Sequence, residues 1–434
     1  LKNLILEEFF QNMRAFIGRL PRCVVSGMMV ATCVAALCAP AQAQVAPPFA
    51  TLLRQTAEAP RRIESEAEVR RSEGLARQAR ARPNPTIGIL TENVAGSSPY
   101  RGVDRAETTL QYSQPLEIGG KRSARIAAGE AGVAASRARD RDAKIRYAYD
   151  LARAYAAADV SDQRIMLAEG EVEQAQNILR AARVLVDAGK EARLRALQAE
   201  AALNAVTADL EGAKADRIAA YARLSALAGV EETFTGLSES LLAVPVAAPT
   251  YGPVDPMTSS SFLAAQAERE AAERRLTAEQ KRAIPDVTAI VGVRRLDYEN
   301  ATALTAGVSI PLNIFDRNRG NIAASQAEAQ AAAARLAMAR NDAIAEARAA
   351  GAQIAAAQSR VAAAEASQRT AEETYRLARI AYEAGKSPLV ELLNARQGLG
   401  AARGIVLDAR VASFEARAQL ARLQGRTLSG DEIQ

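Results

Sequence analysis

The chain of 434 residues has no histidine and no tryptophan, and aromatic residues make up only 4% of it. Its three cysteines, Cys23, Cys33 and Cys38, all precede residue 44. Beyond that point the nucleophile–base pairs that cysteine and histidine build are excluded. So are disulfides and thiolate metal sites. Methionine is sparse there too, at Met166, Met257 and Met338, so no soft-ligand metal site and no resident cofactor is expected. Gly119-Gly120 is not a phosphate loop, because no Gly-Lys-Ser/Thr pattern surrounds it. It reads as a strand-to-helix transition that needs open backbone. After residue 43 no stretch approaches 18 apolar residues, so no transmembrane helix is expected. The formal charge of +5 is small against 55 basic and 50 acidic side chains. Both signs alternate along the chain, and no nucleic-acid partner is called for.

What is present is alanine, which supplies nearly half of the 49% hydrophobic share, together with Glu, Arg, Leu and Gln. That mixture marks long helices packed closely rather than a bulky core. The first 43 residues read as a secretion signal. From Met13, an n-region carries Arg14, Arg19 and Arg22, an apolar run spans Cys23 to Cys38, and Ala41-Gln42-Ala43 is the small-x-small cleavage pattern. Cleavage is expected after Ala43, with residues 1–12 ahead of the expected start. Leu37 stands where lipoprotein processing of Cys38 wants a small residue, which argues against lipidation.

A second feature is repetition. Ser113-Gln114-Pro115-Leu116-Glu117-Ile118 returns as Ser309-Ile310-Pro311-Leu312-Asn313-Ile314, and a spacing of 196 residues (Pro115 to Pro311) then holds. At that offset Ile126 meets Ile322, Gly189 meets Gly385, Lys190 meets Lys386 and Gly229 meets Gly425. The halves are therefore structural repeats. The first repeat, 44–229, holds a charged helix, a β-hairpin at 86–115 and a long helical hairpin at 121–228. A Pro-rich connector at 230–260 is expected to be irregular. The second repeat, 261–425, holds a helix, a hairpin at 286–311 and a helical hairpin at 318–424, with a tail at 426–434. Residues 44–60 read as a Pro/Ala-rich lead.

The expected strands are Thr86–Val94, Ala106–Pro115, Asp286–Arg294 and Thr302–Pro311. Leu304, Ala306, Val308 and Ile310 alternate with Ala303, Thr305, Gly307 and Ser309, and each segment is long enough to cross a bilayer at a tilt. The proline-free run from Lys121 to Asp187 is helical and breaks at Ala188-Gly189-Lys190. Its return helix carries a seam at Ala196/Ala199, Leu203/Val206, Leu210/Ala213 and Leu224/Leu227, with Arg217 interrupting one layer. The second copy reads Leu392/Ala395, Leu399/Ala402, Val406/Ala409, Ser413/Ala416 and Leu420/Leu423. Such spacing is that of coiled-coil packing. Four strands leave two open edges, which a bilayer does not tolerate, so closure with copies of the chain is expected. Pro85, Pro115, Pro285 and Pro311 mark the junctions at which strands pass into helices. The fold class expected is mainly α with a small transmembrane β part, built on a two-fold internal repeat.

The chain resembles the TolC-type outer-membrane factors, the exit ducts of Gram-negative efflux and secretion systems, over essentially its whole length after the signal. The resemblance rests on the two-fold repeat, on Arg82-Pro83-Asn84-Pro85, on Ser113-Gln114-Pro115 through Gly119-Gly120-Lys121-Arg122, and on the Ala-Gly-Lys tips at 188–190 and 384–386. The wording from Gln114 to Arg122 is most similar to the heavy-metal, cobalt–zinc–cadmium branch. The resemblance implies a homotrimer with a twelve-stranded barrel in outer-membrane lipid and a helical periplasmic tunnel. It also implies a periplasmic adaptor and an inner-membrane transporter of the resistance–nodulation–division type as partners. It places Gly189, Lys190, Gly385 and Lys386 at the adaptor-docking tips. Glu391 falls at the first acidic position of the family's periplasmic gate, Asn394 replaces the second acid, and Arg195 occupies the place of Glu391 in the first repeat, which suggests an Arg195–Glu391 latch. On the residues alone these are helix caps and solvated helix charges. Two rivals stand beside this expectation. One is the same duct carrying drugs or a secreted polypeptide, and the other is a periplasmic coiled-coil scaffold without a pore. The four alternating segments speak against the scaffold, which has no use for strands.

Overall fold

The computed structural model describes residues 44–56, 59–242, 254–428 and 433. The expected signal with its three cysteines lies outside the described residues, as do Pro245, Pro249 and Pro253 of the connector and most of the tail after residue 428. In chain order come β1 (Val45–Ala46), α1 (Phe49–Gln55), α2 (Pro60–Arg80), β2 (Thr86–Glu92) and β3 (Glu107–Leu116). The helical hairpin of α3 (Lys121–Asp187) and α4 (Arg193–Ala228) follows, then β4 (Gly236–Leu237) and a 3-10 turn at Pro256–Thr258. The plan repeats with α5 (Ser260–Arg282), β5 (Val287–Leu296), β6 (Ala301–Ser309), α6 (Arg319–Glu383) and α7 (Leu389–Leu423). At 67 residues, α3 is about 100 Å long, given ~1.5 Å per residue. Among the described residues no helix is long and apolar enough to cross a membrane.

The strands form one antiparallel sheet in the order β2-β3-β5-β6, so the two hairpins join through β3 and β5. β2 ends two residues short of expectation because Asn93 turns to a φ of 58°. Next to the sheet the helices keep the strand order: α2 packs on α3, α3 on α5, and α5 on α6. Further down, α3 packs on α4 and α7, and α7 on α6. Gly229 closes α4 beside Pro60, which opens α2, and Val254 ahead of α5 packs with Leu420 and Leu423 at the end of α7. Thus α2 and α4 succeed one another beside α3, α5 and α7 succeed one another between α3 and α6, and four helices are present at either level.

The α7 seam is buried at Leu392, Leu399, Ala402, Val406, Ala409, Ala416, Leu420 and Leu423. On the facing helix α6, Ala343, Ala350, Ala357 and Ala364 are buried at seven-residue spacing. Small knobs at that period let the two backbones approach closely. No residue of α2 is buried within the chain, and β2 and β6 each lack a second partner.

Part of the connector, expected to be irregular, is ordered: residues 236–237 pair in parallel with 45–46 of the lead, and α1 follows directly. Together they strap the middle of the helical bundle. Phe49, Leu52 and Phe234 are buried there against Leu151, Tyr155, Tyr221, Leu224 and Phe414, the largest core of the chain. The buried Asp159 carboxylate accepts from Ser240 Oγ at 2.6 Å and from the Leu242 amide at 3.1 Å. The layer that Arg217 interrupts is explained by the strap. Arg217 Nε donates to Asp162 at 2.6 Å, its Nη2 donates to the Thr235 carbonyl at 2.6 Å, and Tyr221 donates to the same Asp162 at 2.5 Å.

This core holds three tyrosines, Tyr147, Tyr155 and Tyr221, each with its hydroxyl pushed above the ordinary 10.0 by burial. Tyr221 is pushed furthest, because its proton is also held by Asp162. An unfolded tyrosine ionises near 10, so above that pH the unfolded chain sheds protons that the folded chain keeps. Their contribution is therefore complete below about pH 10 and is lost as pH rises beyond it. Melting curves are expected to be flat up to about pH 9 and to fall steeply above about pH 10. A Tm unchanged through pH 11 would show these hydroxyls to be solvated.

Candidate functional site

Three regions carry side chains that a duct would use: the sheet, its junction with the helices, and the far ends of the helical hairpins. On one face of the sheet the cross-strand rows read Ile87–Tyr112–Val291–Ala306 and Ile89–Leu110–Val293–Leu304. These side chains are apolar and exposed, Ile87 to 75% and Leu304 to 87%. The opposite face carries Thr86–Ser113–Ile290–Gly307 and Gly88–Gln111–Gly292–Thr305. A sheet with one exposed apolar face and one mixed, mostly polar face is what a lipid-facing wall with a wet lumen requires.

At the junction, Pro85 immediately precedes β2 and Pro285 lies two residues before β5. Pro311 follows the end of β6, while Pro115 lies inside β3, opposite Thr288. Gly119 and Gly120 both adopt positive φ, 69° and 78°, and Gly120 caps α3. The last carbonyls of α2, those of Ala79, Arg80 and Ala81, accept from Arg125 and Arg122 at 2.8–2.9 Å. Arg125 is held in turn by Glu117. Lys121 Nζ, largely buried, meets Asp286 at 2.5 Å and ties the start of α3 to the entry of β5. Orphan helix carbonyls are thereby satisfied by side chains of the neighbouring helix. Sequence reading noticed the Lys121-Arg122 wording but not this role, and Arg125 went unnoticed.

At the helical ends, Gly189 and Gly385 both take φ 69°. The amides of Lys190 and Lys386 bond back to the carbonyls of Leu185 and Ala381 at 2.9 and 2.8 Å. These are glycine C-caps of the Schellman type, and a Cβ added at either glycine would meet nothing within 4 Å. Beneath them the two hairpins lock together through Ile178, Ala182, Ala199, Tyr382, Leu389 and Leu392. Glu391 lies exposed in the first turn of α7, where Ser387 Oγ donates to it at 2.7 Å. Asn394 stands one turn on, and both line an open groove of about 720 Å³ with Thr370, Thr374 and Leu377. Within the chain Arg195 meets Glu191 at 3.8 Å and Gln198 at 3.2 Å, so the ion pair it makes here is not the expected one with Glu391. Two buried polar atoms near the ends, Tyr382 Oη and Arg396 Nε, have no partner in the chain, and neither was singled out from the sequence. Among the described residues no cluster of acids is arranged to hold a metal ion.

The sequence pattern of the family described as outer membrane efflux protein matches residues 56–230 and 258–426, one block for each repeat. The chain belongs to the outer membrane efflux protein family. Its kin include the nickel-cobalt-cadmium resistance protein NccC of Alcaligenes xylosoxydans xylosoxydans, 43% identical over 386 residues, which span 89% of this chain and 88% of that protein. The nickel and cobalt resistance protein CnrC of Cupriavidus metallidurans is 42% identical over 382 residues, 88% of this chain and 91% of that one. Among solved structures, the outer-membrane channel OprN superposes with a TM-score of 0.75 at 20% identity, over 88% of this chain and 90% of that one. The chain therefore has the fold of these channels, a helical barrel continued by a small β part. As an outer membrane efflux protein it is a transport duct and not an enzyme, which sets aside the scaffold reading.

Proposed function

We propose that this efflux protein is the passive outer-membrane exit of a tripartite assembly that exports heavy-metal cations. The observation that carries the duct is the sheet: its apolar face is bare, its two edges are open, and its strand order continues into the helices. Because the four strands alternate in direction, β6 of one copy meets β2 of the next antiparallel, so copies can close without a mismatched seam. Three copies would give a twelve-stranded barrel in outer-membrane lipid, with the helices forming a periplasmic tunnel. The bare flank of α2 supports the same closure. The cargo reading follows the two resistance proteins named above, whose likeness runs through both repeats. Metal would pass as hydrated cations, and selection would rest with an inner-membrane transporter of the resistance–nodulation–division type reached through a periplasmic adaptor.

In this reading the tips at Gly189-Lys190 and Gly385-Lys386 dock the adaptor. Glu391 forms a ring of carboxylates that favours cations at the periplasmic gate, as acid rings do elsewhere, with Asn394 in the next layer and Arg195 of the first tip beside it. The test is growth of a strain lacking the gene on nickel, cobalt, cadmium, zinc and copper salts, beside a panel of drugs and detergents. Hypersensitivity confined to metals, foremost nickel and cobalt, is the expected result. Sensitivity to drugs alone would keep the duct and remove its cargo.

A further inference from the structure

The wet face of the sheet is almost free of charge, and its exceptions sit in its two outermost rows. Among the strand residues only Glu92, Glu107, Arg294 and Arg295 are charged. Three of them share the wet face at the end farthest from the helices, since Glu92 pairs with Glu107 and Arg294 with Thr109 in the ladder. Arg294 reaches across three strands. It meets Glu92 at 3.3 Å and Glu107 at 3.0 Å, and its Nε donates to Thr109 Oγ1 at 3.1 Å. Arg295 belongs to the opposite face, beside Asp297. The next wet row toward the helices, Gly88–Gln111–Gly292–Thr305, is uncharged and carries two glycines.

We infer that Glu92, Glu107 and Arg294 form a second specificity-determining ring, at the outer mouth of the pore, which sets its preference for cations. The inference rests on the duct reading proposed above. Two carboxylates against one guanidinium leave one negative charge per chain, repeated around the closed barrel. Arg294 holds both carboxylates in place and neutralises only one of them. A ring of fixed acid on a low-dielectric wall concentrates cations along the exit path. The ions leaving the helical tunnel thus meet a wall of the same sign as the Glu391 ring, so the outer end does not hold up the cargo that the inner end admits.

Charge and scaffolding make opposite demands on these residues, which makes the test decisive. In planar bilayers under a KCl gradient, the potassium-to-chloride permeability ratio should follow ring charge. Arg294→Gln should stand above wild type, Glu92→Gln and Glu107→Gln below it, and the double Glu variant lowest, with preference for chloride. The spread should be several-fold in about 0.01 M salt, where the screening length is about 30 Å, and should collapse near 1 M, where it is about 3 Å. Arg294→Lys keeps the charge and should keep the ratio. If the triad is only a staple between strands, Arg294→Gln and the Glu variants will lose assembled channels together and the ratio of those that insert will not move. A flat series with normal conductance overturns the ring and leaves the duct standing. A wild-type protein that forms no conducting unit overturns both. Glu391→Gln, run in parallel, should shift the ratio by an increment that adds to the outer series.

Discussion

Gly292→Val is expected to stop the sheet from assembling, and with it the delivery of the protein to the outer membrane. A Cβ at Gly292 would lie 2.7 Å from the Leu110 carbonyl oxygen, 2.8 Å from Thr305 Oγ1 and 3.3 Å from Gln111 Cα. Two of these belong to the backbone of β3, so rotation of a side chain gives no relief. Gly292 sits in the ladder between β3 and β5, the only pairing that joins the two hairpins. Relief therefore means separating the halves of the barrel wall. Overpacking a well-filled site costs about 1–3 kcal/mol where neighbours can yield, and here the neighbour is backbone. Gly88 is the control. It lies on the same row, but its added Cβ would meet the Gln111 side chain at 3.3 Å, and that side chain can swing away. Gly88→Ala should therefore give wild-type amounts of the heat-modifiable folded form on gels, and Gly292→Val almost none, with helix content by circular dichroism largely retained. Normal outer-membrane accumulation of Gly292→Val would refute the close approach of β3 to β5.

The parts of the fold that were legible are those that repeat at a fixed period. Alternation in β6 and the leucine-containing seam of α7 could be read directly, because apolar residues recur at every second position in the one and at every third and fourth in the other. The α6 seam was not legible for the opposite reason. Ala350, Ala357 and Ala364 recur every seventh residue, but alanine also fills the exposed positions between them, so the buried set does not stand out. The strap escaped because its apolar residues, Phe49, Leu52 and Phe234, come in pieces too short to show a period. What orders them is burial on Tyr155 and Leu151 of α3, about a hundred positions from the first piece and about eighty from the second. Arg217 shows the boundary well. The sequence identifies the interrupted layer, while Asp162 and the Thr235 carbonyl that justify it come from two other segments.

The candidate site residues divide in the same way. Glycines with left-handed φ at 189 and 385 follow from local chemistry, since a helix that turns back within a few residues needs such a cap. The partners of charged groups do not. Arg195 and Glu391 occupy matching places in the two repeats, yet each chain satisfies them locally, with Glu191 and Ser387. The Glu92–Arg294–Glu107 triad was equally hidden, because its members come from three strands and meet only once the β3–β5 register is set.

Gly385→Val should abolish resistance while leaving the protein folded and inserted. The glycine holds φ at 69°, and nothing lies within 4 Å of where a Cβ would point, so packing alone would accept any side chain there. The obstacle is the backbone. A β-branched residue is a poor occupant of the left-handed region, and the C-cap would open by shifting the turn between α6 and α7. The change is local, because the interlocked cluster of Tyr382, Leu389 and Leu392 beneath the turn is untouched. Stability should therefore fall by no more than about 1–2 kcal/mol. Efflux should nonetheless fail if this turn is the surface that the adaptor grips, since an adaptor reads the shape of the tip and not its stability. Gly385→Asn separates the two, because asparagine tolerates left-handed backbone and keeps the cap. In a strain lacking the chromosomal gene, the Asn variant should restore growth on nickel and cobalt and the Val variant should not, at equal outer-membrane levels. Crosslinking to the adaptor should be lost in step with growth. If the Val variant supports full growth, docking lies elsewhere, and the groove lined by Glu391 and Asn394 becomes the surface to probe.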